Sequence, residues 1–178
     1  MAIKKVTQAG QAVIRRKAKP VAMSISKVTK RLVKDLIDTM RAANLIGIAA
    51  PQIGKSLRVI VTEIRATKLR KGEKNMVDSL RVFINPKIVS VSKKQALGWE
   101  GCGSIAFGKL FGKVRRPVSV TVRALDRQGK PFELSATNLL ARVIQHEVDH
   151  LNGILFTDTA DPATFISSTE YKRLRKKK

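Results

Sequence analysis

Two histidines four residues apart are the first feature of this 178-residue sequence that could do chemistry. They belong to the run His146-Glu-Val-Asp-His150, and this spacing places both imidazoles on one face of a helix, where they can bind one metal ion. Glu147 follows the first histidine and can act on a water molecule without being a ligand itself. A five-residue match can arise by chance, and the alternative is a pair of surface histidines. The apolar residues around the run favour the metal site.

A catalytic metal ion needs a third protein ligand and one open coordination position. The chain has only two histidines, and three acids follow the second of them: Asp158, Asp161 and Glu170. The remaining candidate is Cys102, the single cysteine, within Trp99-Glu-Gly-Cys-Gly-Ser-Ile105. A lone cysteine is more often an inert buried thiol. The flanking glycines and the missing third ligand favour ligation instead, and a thiolate suits iron(II) or zinc.

Two helices are predicted from apolar residues that recur every three or four positions. The first covers residues 26–43. The second carries the two histidines; it begins at Thr137 or Asn138, either of which can cap a helix, and ends at Asn152-Gly153.

Strands are predicted where β-branched residues alternate between turn signals. The predicted strands cover residues 57–64, 81–86, 87–92, 119–125 and 131–134. Pro86 bends the second strand away from the third, the last two form a hairpin, and residues 67–79 form a charged loop. We therefore predict an α+β fold with antiparallel strands packed around the central helix that carries the histidines, an N-terminal amphipathic helix and a basic C-terminal tail.

Charge dominates the composition, since 36 lysines and arginines face 13 acids and give a net charge of +23. Such a charge favours a polyanionic partner such as ribosomal RNA. No apolar run approaches the roughly 20 residues that cross a bilayer, and the N-terminus lacks a secretory signal pattern. We expect a cytoplasmic protein without membrane contact, built from one catalytic domain over residues 1–160 and a basic extension over 161–178.

Three segments resemble the signature motifs of the peptide deformylase family. They are Gly47-Ile-Ala-Ala-Pro-Gln52, Glu100-Gly-Cys-Gly-Ser104 and Gln145-His-Glu-Val-Asp-His-Leu-Asn-Gly153. They occur in the order that the family has, and the resemblance extends over residues 1–158. It implies metal-dependent hydrolysis of the N-formyl group from the initiator methionine of nascent polypeptides, with release of formate.

The resemblance also implies a role for individual residues. The metal ligands would be Cys102, His146 and His150. The metal would be ferrous iron natively, with zinc or nickel able to occupy the site. Glu147 would transfer the proton, while the Gln52 side-chain amide and the Gly103 N–H would stabilise the negative charge that develops on the formyl oxygen. The methionine pocket would be lined by Ile46, Gly47, Ile48 and Val143.

The resemblance also implies supporting residues, and the sequence departs from the family pattern at two positions. Glu100 would support the metal-binding loop through Arg115 or Arg116. Leu45 stands where the family usually has a glycine, and Gly103 stands where it usually has a leucine. The missing leucine removes a side chain expected to line the methionine pocket, so we expect substrate preference to differ more than catalysis.

The C-terminal segment, residues 171–178, has six basic residues in eight. It follows the last motif, so we expect that the active site does not need it. One interpretation is a solvated tail, and the other is an electrostatic anchor on ribosomal RNA. Members of the family are thought to dock on the ribosome through a C-terminal extension, which favours the anchor.

Two other functions compete with the deformylase interpretation. A basic RNA-binding protein without catalysis would account for the charge, but binding RNA does not require Gln52, Cys102 and the paired histidines. A metalloprotease would use the same histidine pair. The upstream cysteine and the lack of a histidine after His150 count against it.

Overall fold

Four α-helices and eight strands make up the part of the chain that the computed structural model describes, residues 3–22, 25–67 and 77–176. In chain order they are α1 (Ala12–Arg15), α2 (Lys27–Ala42), β1 (Gly47–Ala49), β2 (Val59–Ile64), β3 (Asp78–Val91), β4 (Gln95–Gly101), β5 (Leu110–Pro117), β6 (Ser119–Leu125), β7 (Pro131–Thr137), α3 (Asn138–Leu151), β8 (Ile166–Ser167) and α4 (Ser168–Lys176). Within these residues no helix is both long and apolar enough to span a membrane.

The strands form two sheets, and all the strand pairs in them are antiparallel. The larger sheet has the order β1-β2-β3-β6-β7, and the smaller has the order β4-β5-β8. The predicted hairpin is β6 and β7, paired from Ser119↔Thr137 to Leu125↔Pro131. The predicted α+β class with antiparallel strands is therefore confirmed.

Each face of the larger sheet is covered by one long helix. Along β2, Val59 and Val61 pack with Leu36 of α2 in one buried cluster. Ile60 points the other way and packs with Ile144 of α3 in a second cluster. Successive residues of a strand face opposite sides of the sheet, so this apolar strand can hold both helices. The helix with the paired histidines is thereby fixed against a rigid platform.

The start of α2 and the end of α3 each follow from a local feature, whereas Thr137, a predicted cap, makes no side-chain capping hydrogen bond at the start of α3. Ser26 caps α2 by accepting a hydrogen bond from the Thr29 N–H at 3.2 Å. After α3 the chain turns through Gly153, whose φ is +76°. A Cβ at this position would lie 2.3 Å from the carbonyl oxygen of Arg15, so only glycine lets the end of α3 meet the N-terminal segment.

Two predicted segments differ from the structure. Residues 81–92 were predicted as two strands bent at Pro86, but β3 is one strand whose register with β6 shifts between Ile84 and Lys87. Asn85 there has a φ of 53°, which absorbs the bend as a bulge without ending the strand. The predicted charged loop at 67–79 lies largely outside the described residues, and its last two residues belong to β3.

The described residues after 160, up to residue 176, are packed onto the rest of the fold. β8 pairs with β5 through Leu110↔Ser167 and Phe111↔Ile166. In α4, Tyr171 stacks on Phe111 with ring centroids 4.1 Å apart. The division of the chain at residue 160 stays a prediction, but residues 161–176 do not extend away from the domain as a free tail.

Candidate metal centre

The predicted metal ligands meet in the core, where the end of β4 faces α3. Cys102, His146 and His150 each offer one ligand atom, and these atoms all lie within 4.8 Å of one another. The Cys102 Sγ and His150 Nε2 atoms are 3.2 Å apart. A tetrahedral ion with metal–sulfur and metal–nitrogen bonds of about 2.3 and 2.1 Å needs ligand atoms about 3.5 Å apart. The donor set and its spacing therefore fit one tetrahedral metal ion with an open position.

Cys102 is placed to bind as a thiolate. Burial alone would raise the pKa of its thiol, but the neighbouring His150 and His146 imidazoles outweigh burial and hold that pKa well below the ordinary value. The Ser104 N–H and the Gln52 amide also donate to Sγ, at 3.4 and 3.5 Å. Donors around a sulfur stabilise its anionic form.

His146 is oriented by a buried carboxylate. Its Nδ1 lies 2.9 Å from Glu100 Oε2. Burial would raise the pKa of Glu100, but hydrogen bonds from His146 and Arg116 outweigh burial and hold it well below the ordinary value. An ionised Glu100 accepts the Nδ1–H and turns Nε2 of His146 toward Cys102 and His150. Burial would lower the pKa of His146, but the neighbouring Cys102 and the same carboxylate outweigh burial and hold that pKa well above its ordinary value, so metal binding at Nε2 would displace a proton.

Two arginines hold Glu100 in place. Arg116 donates to both of its carboxylate oxygens, at 2.6 and 2.9 Å, and Arg142 donates to Oε1 at 2.7 Å. Arg116 also donates to Asp149 at 2.7 Å. Of the two arginines predicted from the sequence, only Arg116 has this position; Arg115 is exposed, because neighbours on β5 face opposite sides.

Arg142 was missed in the sequence analysis. It lies one helical turn before His146, so the same spacing of four that paired the histidines could have identified it. It reaches over Gly98, where a Cβ would lie 2.9 Å from the guanidinium carbon. Its guanidinium also donates to the Ala96 carbonyl at 2.7 Å, which ties α3 to β4.

Glu147 points into the space beside the ligands. It is buried, and its Oε2 has no hydrogen-bond partner among the described residues. Burial raises the pKa of Glu147 to about 7, so it can accept and release a proton near neutral pH. A Cβ on Gly47 would lie 2.5 Å from Glu147 Oε1 and 2.8 Å from Val143 Cγ1. Glycine at this position of β1 leaves room for the carboxylate.

Gln52 presents its amide N–H₂ group to the site. Its Oε1 accepts from the Ala49 N–H at 2.8 Å, so its Nε2 faces Cys102 Sγ and the Ser104 hydroxyl, the latter at 3.3 Å. Gly103 follows Cys102 along the same edge, and its carbonyl accepts from the Gln8 side chain at 2.9 Å. The contact with Ala49 therefore sets the Gln52 amide as a donor beside the ligand cluster.

A pocket of about 200 Å³ opens beside the three ligands. Three of the predicted pocket residues line it, namely Ile46, Gly47 and Val143. Ile48 is not among the residues that line this pocket, because it is fully buried in the cluster that α2 forms with the larger sheet. Gly47 and Ile48 are neighbours on a strand, so they cannot both face the pocket.

The C-terminal helix also contributes to this pocket. Tyr171 of α4 is one of the lining residues, beside Phe111 and Trp99. The sequence predicts that the active site does not need residues 171–178, whereas the structure places Tyr171 in the pocket wall. An isolated tyrosine in a basic segment gave no local sign of this contact, which depends on the pairing of β8 with β5.

Comparisons with known proteins agree on one family. The polypeptide deformylase family model matches residues 3–165. A peptide deformylase from Natranaerobius thermophilus is 45% identical over 161 residues, which cover 90% of this chain and 94% of the relative. Peptide deformylase 1 of Bacillus subtilis is 41% identical over 157 residues, covering 88% and 89%.

Solved structures resemble this chain over most of its length. The crystal structure of a peptide deformylase from Legionella pneumophila superposes with a TM-score of 0.78 at 38% identity, covering 99% of each chain. A class I type b peptide deformylase from Acinetobacter baumannii, crystallised with Met-Ala-Ser bound, has a TM-score of 0.81 at 34% identity and covers 89% of this chain and 99% of its own.

Proposed function

This chain belongs to the polypeptide deformylase family, and from that premise we propose how its own residues carry the reaction. The family activity is the metal-dependent removal of the N-formyl group from nascent polypeptides. We propose that Cys102, His146 and His150 hold one divalent metal ion, natively Fe²⁺, with Zn²⁺ or Ni²⁺ able to replace it. The observation that supports this most directly is the meeting of these three ligand atoms within 4.8 Å beside the buried Glu147.

The proposed mechanism assigns one task to each side chain around the formyl group. When bound, the metal would supply Lewis acidity toward water and the formyl carbonyl. Glu147 accepts the proton of the attacking water and later gives it to the departing amine nitrogen, after which formate leaves. The Gln52 amide and the Gly103 N–H donate to the formyl oxygen as it gains negative charge, each worth about 3 kcal/mol in such sites.

The N-terminal side chain of the substrate needs an apolar recess beside the reacting carbonyl. We propose that Ile46, Gly47 and Val143 border the methionine side chain, because they line the pocket next to the ligands. Glu100 and Arg116 keep His146 oriented from behind. Glu100 therefore acts as a positioning residue, and so does Arg116.

Release of formate from formyl-Met-Ala-Ser tests this function directly. We expect one formate and one free amino terminus for each peptide consumed, with no cleavage between the residues. A metalloprotease would cleave an internal amide instead, and a purely RNA-binding protein would leave the peptide intact. Either of those two results, obtained with metal-loaded protein, would contradict the proposal.

Oxygen sensitivity should depend on the metal. With Fe²⁺ bound, we expect activity to decay in air, because ferrous iron and a thiolate at one open site are both oxidisable. With Ni²⁺ bound, the half-life of activity in air should be at least about tenfold longer, since nickel(II) is not oxidised under these conditions. Activity half-lives of the two forms, measured side by side in air and under argon, check this. Equal half-lives in air would contradict it.

We propose that the ribosome is a partner and the cytoplasm the location, since nascent formyl-Met chains are made there. The net charge of +23 supports contact with RNA phosphates. α4 brings Lys172 and Arg173 to the surface, while Tyr171 of the same helix reaches the pocket. A deletion from residue 171 would therefore disturb the pocket together with the charge.

Charge removal that spares Tyr171 should weaken ribosome binding without affecting peptide turnover. The variant replaces by glutamine Lys172, Arg173, Lys176, Lys177 and Lys178. The matched control replaces five exposed lysines elsewhere: Lys30, Lys87, Lys93, Lys94 and Lys130. We expect the tail variant to lose about tenfold in ribosome affinity and to show a shallower salt dependence than the control, because fewer counterions are released. Sedimentation with ribosomes at several salt concentrations measures both. Equal affinities and slopes would exclude the tail as the anchor.

A further inference from the structure

Gly103 is a glycine for a reason other than its backbone conformation. The described glycines with positive φ are Gly10, Gly54, Gly108, Gly129 and Gly153, so Gly103 has a backbone that other residues adopt. It nevertheless lies in the pocket wall next to the ligand Cys102. Ligand pockets are lined mostly by side chains, and Gly103 offers none. A neighbouring residue fills the space that a side chain at position 103 would occupy.

Leu45 occupies that space. A Cβ built on Gly103 would lie 3.2 Å from Leu45 Cδ1, 3.4 Å from Leu45 Cδ2 and 3.6 Å from Val6 Cγ1. The first distance is tighter than ordinary carbon–carbon contact, so even a methyl group at position 103 would push Leu45 aside by a few tenths of an ångström. A leucine at 103 would need a larger displacement of the side chain at 45.

The backbone of Leu45 is held firmly. Its N–H donates to the Met40 carbonyl at 2.9 Å, and its carbonyl accepts from Arg65 at 2.5 Å. Asn44, with a φ of 55°, turns the chain out of α2 just before it. The side chain packs against the cluster under α2 and also lines the pocket. Leu45 is therefore a fixed part of the pocket wall, and the chain segment that follows α2 positions it.

We infer that Leu45 supplies the apolar wall of the substrate pocket that position 103 does not supply, and that the Leu45–Gly103 pair sets which N-terminal side chains the enzyme accepts. At this one contact position 103 has no side chain, and the side chain of position 45 lies in its place. The inference rests on the proposed function, because it concerns the substrate of that reaction.

A double-mutant cycle tests the pair. The four proteins are wild type, Leu45→Gly, Gly103→Leu and the double variant, each assayed on formyl-Met-Ala-Ser and formyl-Phe-Ala-Ser. Gly103→Leu alone should lower kcat/KM on the methionine peptide about tenfold or more through overpacking against Leu45. Leu45→Gly alone should raise the preference for phenylalanine over methionine about fivefold, because it widens the pocket. The double variant should recover to within about threefold of wild type on both measures, because one leucine again fills the space.

Controls distinguish a change in substrate preference from a loss of stability, and a failure of this inference from a failure of the proposed function. Leu80→Ala removes a half-buried leucine of the same cluster that does not line the pocket, so the peptide preference should stay unchanged. Should Gly103→Leu fail to fold, Gly103→Ala with Leu45→Ala repeats the cycle with smaller side chains. Effects that simply add, or an unchanged preference in Leu45→Gly, would overturn the inference. Wild-type protein that holds metal but releases no formate would instead overturn the proposed function.

Discussion

Replacing Glu147 by glutamine is expected to lower turnover of formyl-Met-Ala-Ser about 10³-fold while the protein keeps its metal. The substitution preserves the shape of the side chain and removes the group that accepts and returns the proton. Glu147 is a buried carboxylate that lines the pocket beside the ligand cluster, and burial raises its pKa to about 7. A group with that pKa changes protonation near neutral pH, as a proton shuttle must. The side chain of Gln52 is an amide and cannot take over that task.

The measurements are kcat at saturating peptide and metal content per chain. Glu133→Gln makes the same chemical change at an exposed carboxylate of β7 that pairs with Arg123, so it should leave both values unchanged. A Glu147→Gln protein with a tenth or more of wild-type turnover would exclude this residue as the proton shuttle. Loss of metal in the same variant would instead indicate that Glu147 supports the site structurally.

Alanine at Cys102, His146 or His150 is expected to abolish both stoichiometric metal and deformylation. Three protein ligands are the usual number for a catalytic site with an open position, and removing one leaves only two. The three ligand atoms that lie within 4.8 Å of one another belong to these residues. Elemental analysis after desalting, together with formate release, measures the two losses.

Ser104→Ala provides the matched control for this prediction. Ser104 is fully buried two residues from Cys102 and contacts Gln52, but it is not one of the three clustered ligands. The control protein should keep its metal. If His146→Ala or Cys102→Ala retained full metal content and turnover, the ligand assignment would be wrong. Metal loss in Ser104→Ala as well would indicate that the loop, and not the individual ligands, controls binding.

Features that depend on neighbours along the chain could be predicted from the sequence. The histidine pair requires only a helix and a spacing of four, and the helix was identifiable from its apolar stripe and its Asn152-Gly153 end. The hairpin of β6 and β7 followed from alternation around a short turn. The third ligand was identifiable for a compositional reason, since Cys102 is the single cysteine of the chain.

The second sheet was not predictable in this way. β4 and β5 pair from Gln95↔Pro117 to Gly101↔Phe111, yet β4 contains two glycines and little apolar alternation. Glycine at 98 leaves room for the Arg142 guanidinium, and glycine at 101 leaves room for the Phe111 ring. A glycine that allows a distant segment to approach closely does not contribute to the apolar alternation of a strand. β4 therefore could not be recognised from its own residues.

Tertiary structure alone decided which of several similar residues reaches the site. Arg115 and Arg116 are chemically equivalent in the sequence, but the pleat of β5 turns only Arg116 toward Glu100. The same alternation buries Ile48 under α2 while Gly47 faces Glu147. The contact of Leu45 with Gly103 joins residues 58 positions apart in the chain. Spacing along the chain determines which residues share a face of one element, whereas packing between elements determines what that face meets.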